Sequence, residues 1–135
     1  GLGKLVTGYD LLVQPAPDGV RFDGARLARL AGAWLARPTS LVARDERVID
    51  LRALVDDVAV LDEAEALRLT AALGWDAGAL LRATVKVTAT GSARPVEVAK
   101  ALGVWGPEDP RARHAFVARL GLRGLDVARP ATLSA

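Results

Sequence analysis

The sequence predicts an α+β fold organised around one antiparallel sheet, and three observations carry that expectation. First, the stretch Ala79–Thr90 alternates. Leu81, Ala83, Val85, Val87 and Ala89 fall on one parity, and Arg82, Thr84, Lys86, Thr88 and Thr90 on the other. A strand with one dry face and one wet face reads this way, and such strands belong to antiparallel sheets. Second, residues 24–37 and 93–102 place apolar side chains at helical spacing between capping and breaking residues. Third, 51% of the 135 residues are hydrophobic but only 4% are aromatic, so one core fits, built mainly of Leu, Val and Ala.

A first strand is expected over Lys4–Pro15, where Leu5, Tyr9, Leu11 and Val13 share a parity, before "PAPDG" turns the chain. Asp23 is the expected cap of a helix over Gly24–Arg37. Leu27, Leu30, Ala31 and Trp34 lie on one face of that helix and Arg26, Arg29 and Arg37 on the opposite, solvated one, and Pro38 stops it. "TSLVARDERVIDLR", Thr39–Arg52, reads as two short strands around a charged turn. "VAVL" is strand-like. "DEAEALRLTAALG" opens on Asp62 with early acids and closes on Gly74, which favours a helix. Leu67, Leu69, Ala71 and Leu73 also alternate with Arg68 and Thr70, so a strand over 62–73 is the rival reading.

After the turn "GWDAG" comes the strand at 79–90, then a helix from about Ala93 to Leu102. Ser92 is its expected cap, Pro95 is tolerated in its first turn, and Gly103 terminates it. "VWGPEDP" is a loop. The last strand is expected over Arg111–Leu122, with His114, Phe116, Ala118, Leu120 and Leu122 on one parity and Arg111, Arg113, Val117 and Arg119 on the other. The order is strand, helix, strand pair, elaborated connection, strand, helix, strand. With the elaboration between the second and third core strands removed, this is the split βαβ order of a ferredoxin-like fold, with two helices on one face of the sheet and an open face opposite. Residues 1–125 are expected to form one α+β domain and 126–135 a mobile tail.

Composition excludes several chemistries. There is no cysteine, so disulfides, thiolate metal sites, iron–sulfur ligation and cysteine nucleophiles are absent from the chain. A single histidine cannot build a histidine-based metal cluster. No metal or other cofactor is expected. No apolar run approaches the ~20 residues of a membrane helix, and no segment reads as a signal peptide. A cytoplasmic setting and no membrane partner are therefore expected. The chain starts at Gly1 without a methionine, which reads as a cut from something longer. Arginine outnumbers lysine and alanine is abundant, as in a GC-rich bacterial genome, while net charge is only +2.

If both strand parities hold, Arg82, Lys86, Arg111, Arg113 and Arg119 emerge together on the open sheet face, where they could neutralise phosphates. That face carries no aromatic residue by parity, so a backbone or shape reader of RNA fits better than a base-stacking one. Gly91, Ser92 and Arg94 could hold an anion at a helix start, although the motif lacks the length and the lysine of a nucleotide-binding loop, and helix capping is the simpler role. His114 falls among apolar residues and reads as packed; a hydrolase or nuclease using it as a base is the last-ranked reading. Asp50, Asp56, Asp57, Asp62 and Glu63 are the candidate acids, but the adjacent pairs splay apart and do not form a paired-carboxylate site. Trp34, Trp75 and Trp105 read as packing residues.

"WLARPTSLVARDERVIDLRALV", "LLRATVKVTATGSARPVEVAKALG" and the arginine-bearing final strand resemble, over residues 5–122, the C-terminal half of the radical-SAM-linked domain family of unknown function. The matching features are a helix ending in a "FLAR"-like run at Trp34–Arg37, a "VDLRP"-like strand at Val48–Ala53 and a "GxxRPxE" helix start at Gly91–Glu97. Ala53 stands where that family has proline, and the family's N-terminal half, with its Ser-His-Leu-Asp-type segment, has no counterpart. The family is fused to, or encoded beside, cobalamin-binding radical SAM proteins and has no established catalytic residues. The resemblance implies an accessory domain partnered with such a protein, and the relatives' association with translation and RNA-processing genes implies RNA. The leading expectation is thus a non-catalytic accessory domain holding a substrate or RNA on a basic sheet face. The second is a protein-interaction or assembly domain docking through its outer sheet edge or the Arg26, Arg29, Arg37 face.

Overall fold

A computed structural model of the chain describes residues 6–17, 23–89, 91–107 and 113–124. In chain order the elements are β1 (Val6–Gln14), α1 (Gly24–Leu35), β2 (Leu41–Arg44), β3 (Arg47–Asp50), α2 (Leu51–Leu54), β4 (Val55–Val60), α3 (Glu63–Leu73), β5 (Leu81–Thr88), β6 (Gly91–Ser92), α4 (Pro95–Ala101) and β7 (Phe116–Gly124). Residues 126–135, expected to be a mobile tail, lie outside the described residues.

The helices start where the sequence offers side-chain acceptors. The Asp23 carboxylate accepts from the Arg26 N–H at 2.8 Å, and the Asp62 carboxylate from the Glu65 N–H at 2.7 Å. Residues 63–73 are helical, and α3 ends on Gly74, whose φ of 69° suits a residue without a Cβ. The expected cap of α4 is corrected. Ser92 belongs to β6, paired with Val87, and the cap position is Arg94. An arginine side chain has no acceptor to offer the first-turn N–H groups, and only the other half of a capping box forms: the Arg94 N–H donates to the Glu97 carboxylate at 2.9 Å.

The main sheet runs β4-β5-β1-β7, every neighbouring pair antiparallel, with β6 added to β5. Counting only β1, α1, β4, β5, α4 and β7 gives the βαββαβ order of a ferredoxin-like fold. The elaborations are the β2–β3 hairpin with α2, inserted before β4, and α3, inserted between β4 and β5.

The main core forms on one face of the sheet. Tyr9, Leu11 and Val13 of β1 and Leu81, Ala83 and Val85 of β5 pack there against Leu27, Ala31 and Trp34 of α1 and Val98 and Ala99 of α4. The opposite face, expected to be open, is partly covered. Leu12 of β1 and Leu80 pack with Ala66 and Leu69 of α3, joined by Leu73, Trp75 and Leu120. The described residues therefore form three layers over part of the sheet, with α3 on the second face.

The inserted hairpin is tied down by polar contacts. Asp50 caps α2, accepting from the N–H groups of Ser40 at 2.9 Å and Arg52 at 3.1 Å. The Trp34 indole N–H donates to the Ser40 hydroxyl at 3.1 Å. Arg52 donates to the carbonyls of Leu35, Arg37 and Val55 at 3.0–3.2 Å, with its guanidinium 5.0 Å from the Trp34 ring centre. One arginine thus ties the end of α1 to the start of β4.

Candidate functional site

The expected basic face does not assemble. Arg82 pairs across the sheet with Leu12, and Lys86 with Gly8, so both emerge on the α3 face. Arg119 pairs with Leu11, a residue of the main core, and so emerges on the opposite face, its guanidinium 4.7 Å from the Tyr9 ring centre. The phase of the last strand is thus the reverse of the expectation. Phe116, Ala118 and Leu120 turn toward α3, and Val117 and Arg119 toward the face that carries α1 and α4.

The strand also begins at Phe116, later than expected, so Arg113 precedes it. Arg113 pairs with Asp76 at 2.6 Å and lies over the Phe116 ring at 4.2 Å. Lys86 pairs with Asp56 at 3.1 Å. Arg111 lies outside the described residues. Of the five expected phosphate contacts, the structure brings Arg82 and Lys86 to one surface, and that surface also carries Asp56 and Asp57.

The stretch Gly91–Glu97 serves the fold. The Arg44 guanidinium reaches from the end of β2 to both carboxylate oxygens of Glu97, with the Nε contact at 3.0 Å, and to the Ser92 carbonyl at 3.0 Å. Both partners are largely buried. Burial pushes the Glu97 carboxyl up, but the Arg44 hydrogen bond, the Arg94 N–H and the charges of Arg44 and Arg94 outweigh it, leaving its pKa below the ordinary value. The Arg94 N–H, one of the groups expected to hold an anion, is bonded to the Glu97 carboxylate. Beside it the buried Tyr9 hydroxyl donates to the Ala93 carbonyl at 2.8 Å. Burial raises the Tyr9 pKa against the opposing pull of Arg119.

His114, expected within the last strand on its apolar parity, precedes β7, is half-buried and packs on Trp105. Its ring stacks on Trp105 at 4.8 Å and 14°, and its Nε2 lies 3.2 Å from the Pro107 carbonyl. Trp75 lies against Phe116, ring centres 5.5 Å apart. Asp50 and Asp62 are helix caps. Among the described residues no group of three or more His, Asp or Glu is arranged to hold a metal ion, and no helix is long and apolar enough to cross a membrane.

The outer edge of β4 is a further surface feature. The Leu61 N–H donates to the Leu80 carbonyl at 3.0 Å. Alternation along the antiparallel pair then makes Asp57–Thr84 and Ala59–Arg82 the hydrogen-bonded pairs, and turns the N–H and C=O groups of Val58 and Val60 away from β5. Val58 is buried, 4% exposed, and Val60 is half-buried. Among the described residues no strand pairs with that edge. Val55 differs, because Leu51 accepts its N–H and Arg52 donates to its carbonyl. A bulge between Val55 and Asp57 separates the start of the strand from the remainder.

Where β4 ends, a groove of about 440 Å³ opens, lined by Val60, Leu61, Ala66, Leu67 and Ala79, with Glu63 at its side. Leu67 is 61% exposed. Sequence reading named the outer edge only in general terms and missed the groove. The exposed Leu67 on an otherwise amphipathic α3 was the available signal.

Comparisons with protein-family models, with curated proteins and with solved structures gave no match for this chain.

Proposed function

We propose that the chain is a protein-interaction domain that docks a partner polypeptide along the outer edge of β4. The observation that carries this reading is the half-buried Val60, whose N–H and C=O face away from β5, beside an apolar groove with an exposed leucine. Edge strands are usually blunted by charge, bulges or covering elements, because unpaired backbone groups recruit other chains. Here the bulge, α2 and Arg52 blunt the start of the strand, and among the described residues no strand pairs with its end. An apolar groove continuous with such an edge supports addition of an external strand, in which main-chain hydrogen bonds provide affinity and side-chain pockets provide selectivity.

The alternative of RNA held on a basic sheet face loses its geometric support, because Arg119 sits on the other face and Lys86 and Arg113 are engaged with carboxylates. The resemblance of Trp34–Arg37, Val48–Ala53 and Gly91–Glu97 to the radical-SAM-linked family makes a cobalamin-binding radical SAM protein the first partner to test, with this chain as its accessory domain.

A photoreactive residue at position 67, compared with one at position 29 on the outer face of α1, tests the reading. The expected result is a discrete polypeptide adduct with that partner from position 67 and none from position 29. An RNA adduct from position 67, or no polypeptide adduct there, contradicts it.

A further inference from the structure

We infer that a second copy of this chain docks on the outer face of the β2–β3 hairpin. The two hairpins pack face to face about a two-fold axis, the acidic tip of each against the basic base of the other. This surface is separate from the β4 edge, and either can fail without the other.

The hairpin is a two-stranded sheet with two unlike faces. In its register Val42 stands opposite Ile49 and Arg44 opposite Arg47. That face is the inner one, because Val42 and Ile49 pack against the main core and Glu97 holds Arg44. Alternation puts Leu41, Ala43 and Val48 on the other face. Leu41 is 63% exposed and Val48 67%, the two highest values among the large apolar residues described, and Ala43 is exposed beside them. Neighbouring apolar side chains on one exposed face mark an interaction surface where a lone leucine does not. The bonds of Trp34 to Ser40, Ser40 to Asp50 and Arg44 to Glu97 already fix the hairpin to the domain, so little is left to be ordered on binding.

Self-complementary charge selects a second copy. Asp45 and Glu46 form the exposed turn at the tip, and neither carboxylate belongs to an ion pair among the described residues. Arg37, exposed, and Arg52, half-buried, stand at the base, where Arg52 donates to the Arg37 carbonyl and no carboxylate pairs with either. The other charges of the hairpin are committed or averted. Arg44 is bound to Glu97, Asp50 accepts from the N–H groups of Ser40 and Arg52, and Arg47 belongs to the inner parity. A four-residue strand is roughly 10 Å long. A hairpin laid end for end on another therefore sets the acids of each toward the arginines of the other, whereas tips side by side would set acid against acid. Three apolar side chains from each copy fall short of the about 800 Å² per partner of a stable interface, so the association is weak and reversible.

Sedimentation equilibrium of the whole chain from about 10 μM to about 1 mM covers the range of such an association. The expected result is a monomer–dimer equilibrium without larger species, since a two-fold interface closes on itself. L41T/V48T keeps the fit of both positions to a strand and removes their apolar bulk, and should weaken dimerisation by about tenfold or more. D45N/E46K and R37E should each weaken it by about tenfold, and their equimolar mixture should restore it, because the reversed tip then meets the reversed base. Asparagine is chosen at position 45 because φ is 54° there.

A chain monomeric throughout that range, a dimer indifferent to L41T/V48T, or a mixture no tighter than its components overturns the inference. Growth beyond a dimer also overturns it, in favour of open edge-to-edge association. Should L41T/V48T fail to fold by far-UV circular dichroism, the charge-swapped mixture decides.

Discussion

Arg44 and Glu97, 53 residues apart in sequence, form a two-armed ion pair that fastens the inserted β2–β3 hairpin to the first turn of α4. Glu97 also satisfies the cap N–H of Arg94 within its own helix, and Arg44 also donates to the Ser92 carbonyl of β6, so each partner of the pair makes a second contact. Breaking such a pair strands the remaining charge among buried surroundings, whereas replacing both partners with apolar residues of similar volume is often nearly neutral.

The single variants R44M and E97Q are therefore each expected to lower unfolding free energy by about 3 kcal/mol, and R44M/E97L to recover much of that loss. Urea denaturation of the three variants measures it. Equal additive losses in the double variant would mean that the two residues act independently.

Glu97 also sets a pH dependence. Its folded pKa lies below the ordinary value, so the stabilisation is fully present above the unfolded pKa of about 4.3 and is lost as pH falls through the folded value. Stability of the wild-type chain should fall below about pH 4.3 more steeply than that of E97Q. Identical acid limbs would show that the carboxylate gains nothing from its partners.

Gly8 and Gly32 should respond oppositely to alanine. A Cβ at Gly8 would lie 2.4 Å from the Val85 carbonyl oxygen, a backbone atom of the neighbouring strand. G8A is expected to destabilise by about 2 kcal/mol or more, by forcing β1 and β5 apart. Gly32 sits within α1 with nothing within 4 Å of its Cβ position, and G32A should stabilise by about 0.5–1 kcal/mol. Thermal unfolding reads both, and a tolerated G8A would contradict the close approach.

Arg52→Ala removes three donations to backbone carbonyls and the contact with the Trp34 ring. The expected loss is about 2 kcal/mol, with a change in tryptophan fluorescence. Arg52→Lys should restore little of it, because one ammonium cannot span the three carbonyls. Full rescue by lysine would mean that charge alone matters there.

The alternation of Ala79–Thr90 placed Leu81, Ala83 and Val85 in the core without help from any other element, and Asp23, Asp62 and Gly74 marked helix ends through purely local chemistry. The last strand was harder. Phe116 and Leu120 alternate with Val117 and Arg119, but parity separates two faces without saying which of them meets α1 and α4. Because α3 forms its own core on the second face, Phe116 and Leu120 find apolar neighbours there, and the phase reverses.

The signal of that second core was present in the unbroken pairs Leu11–Leu12 and Leu80–Leu81, since a strand apolar on both parities is covered on both faces. The Arg44–Glu97 pair was not legible at all. Arg44 lies in the predicted strand pair and Glu97 in the helix start, and only the folded path of the inserted hairpin brings them together.

Amide hydrogen exchange along β4 tests the docking edge most directly. The Val60 N–H, turned away from β5, should exchange faster than those of Asp57 and Ala59, which are bonded to β5. Addition of the partner should slow Val60 and leave the other two unchanged. Val60 as slow as its neighbours in the chain alone would show the edge already occupied and contradict a docking role.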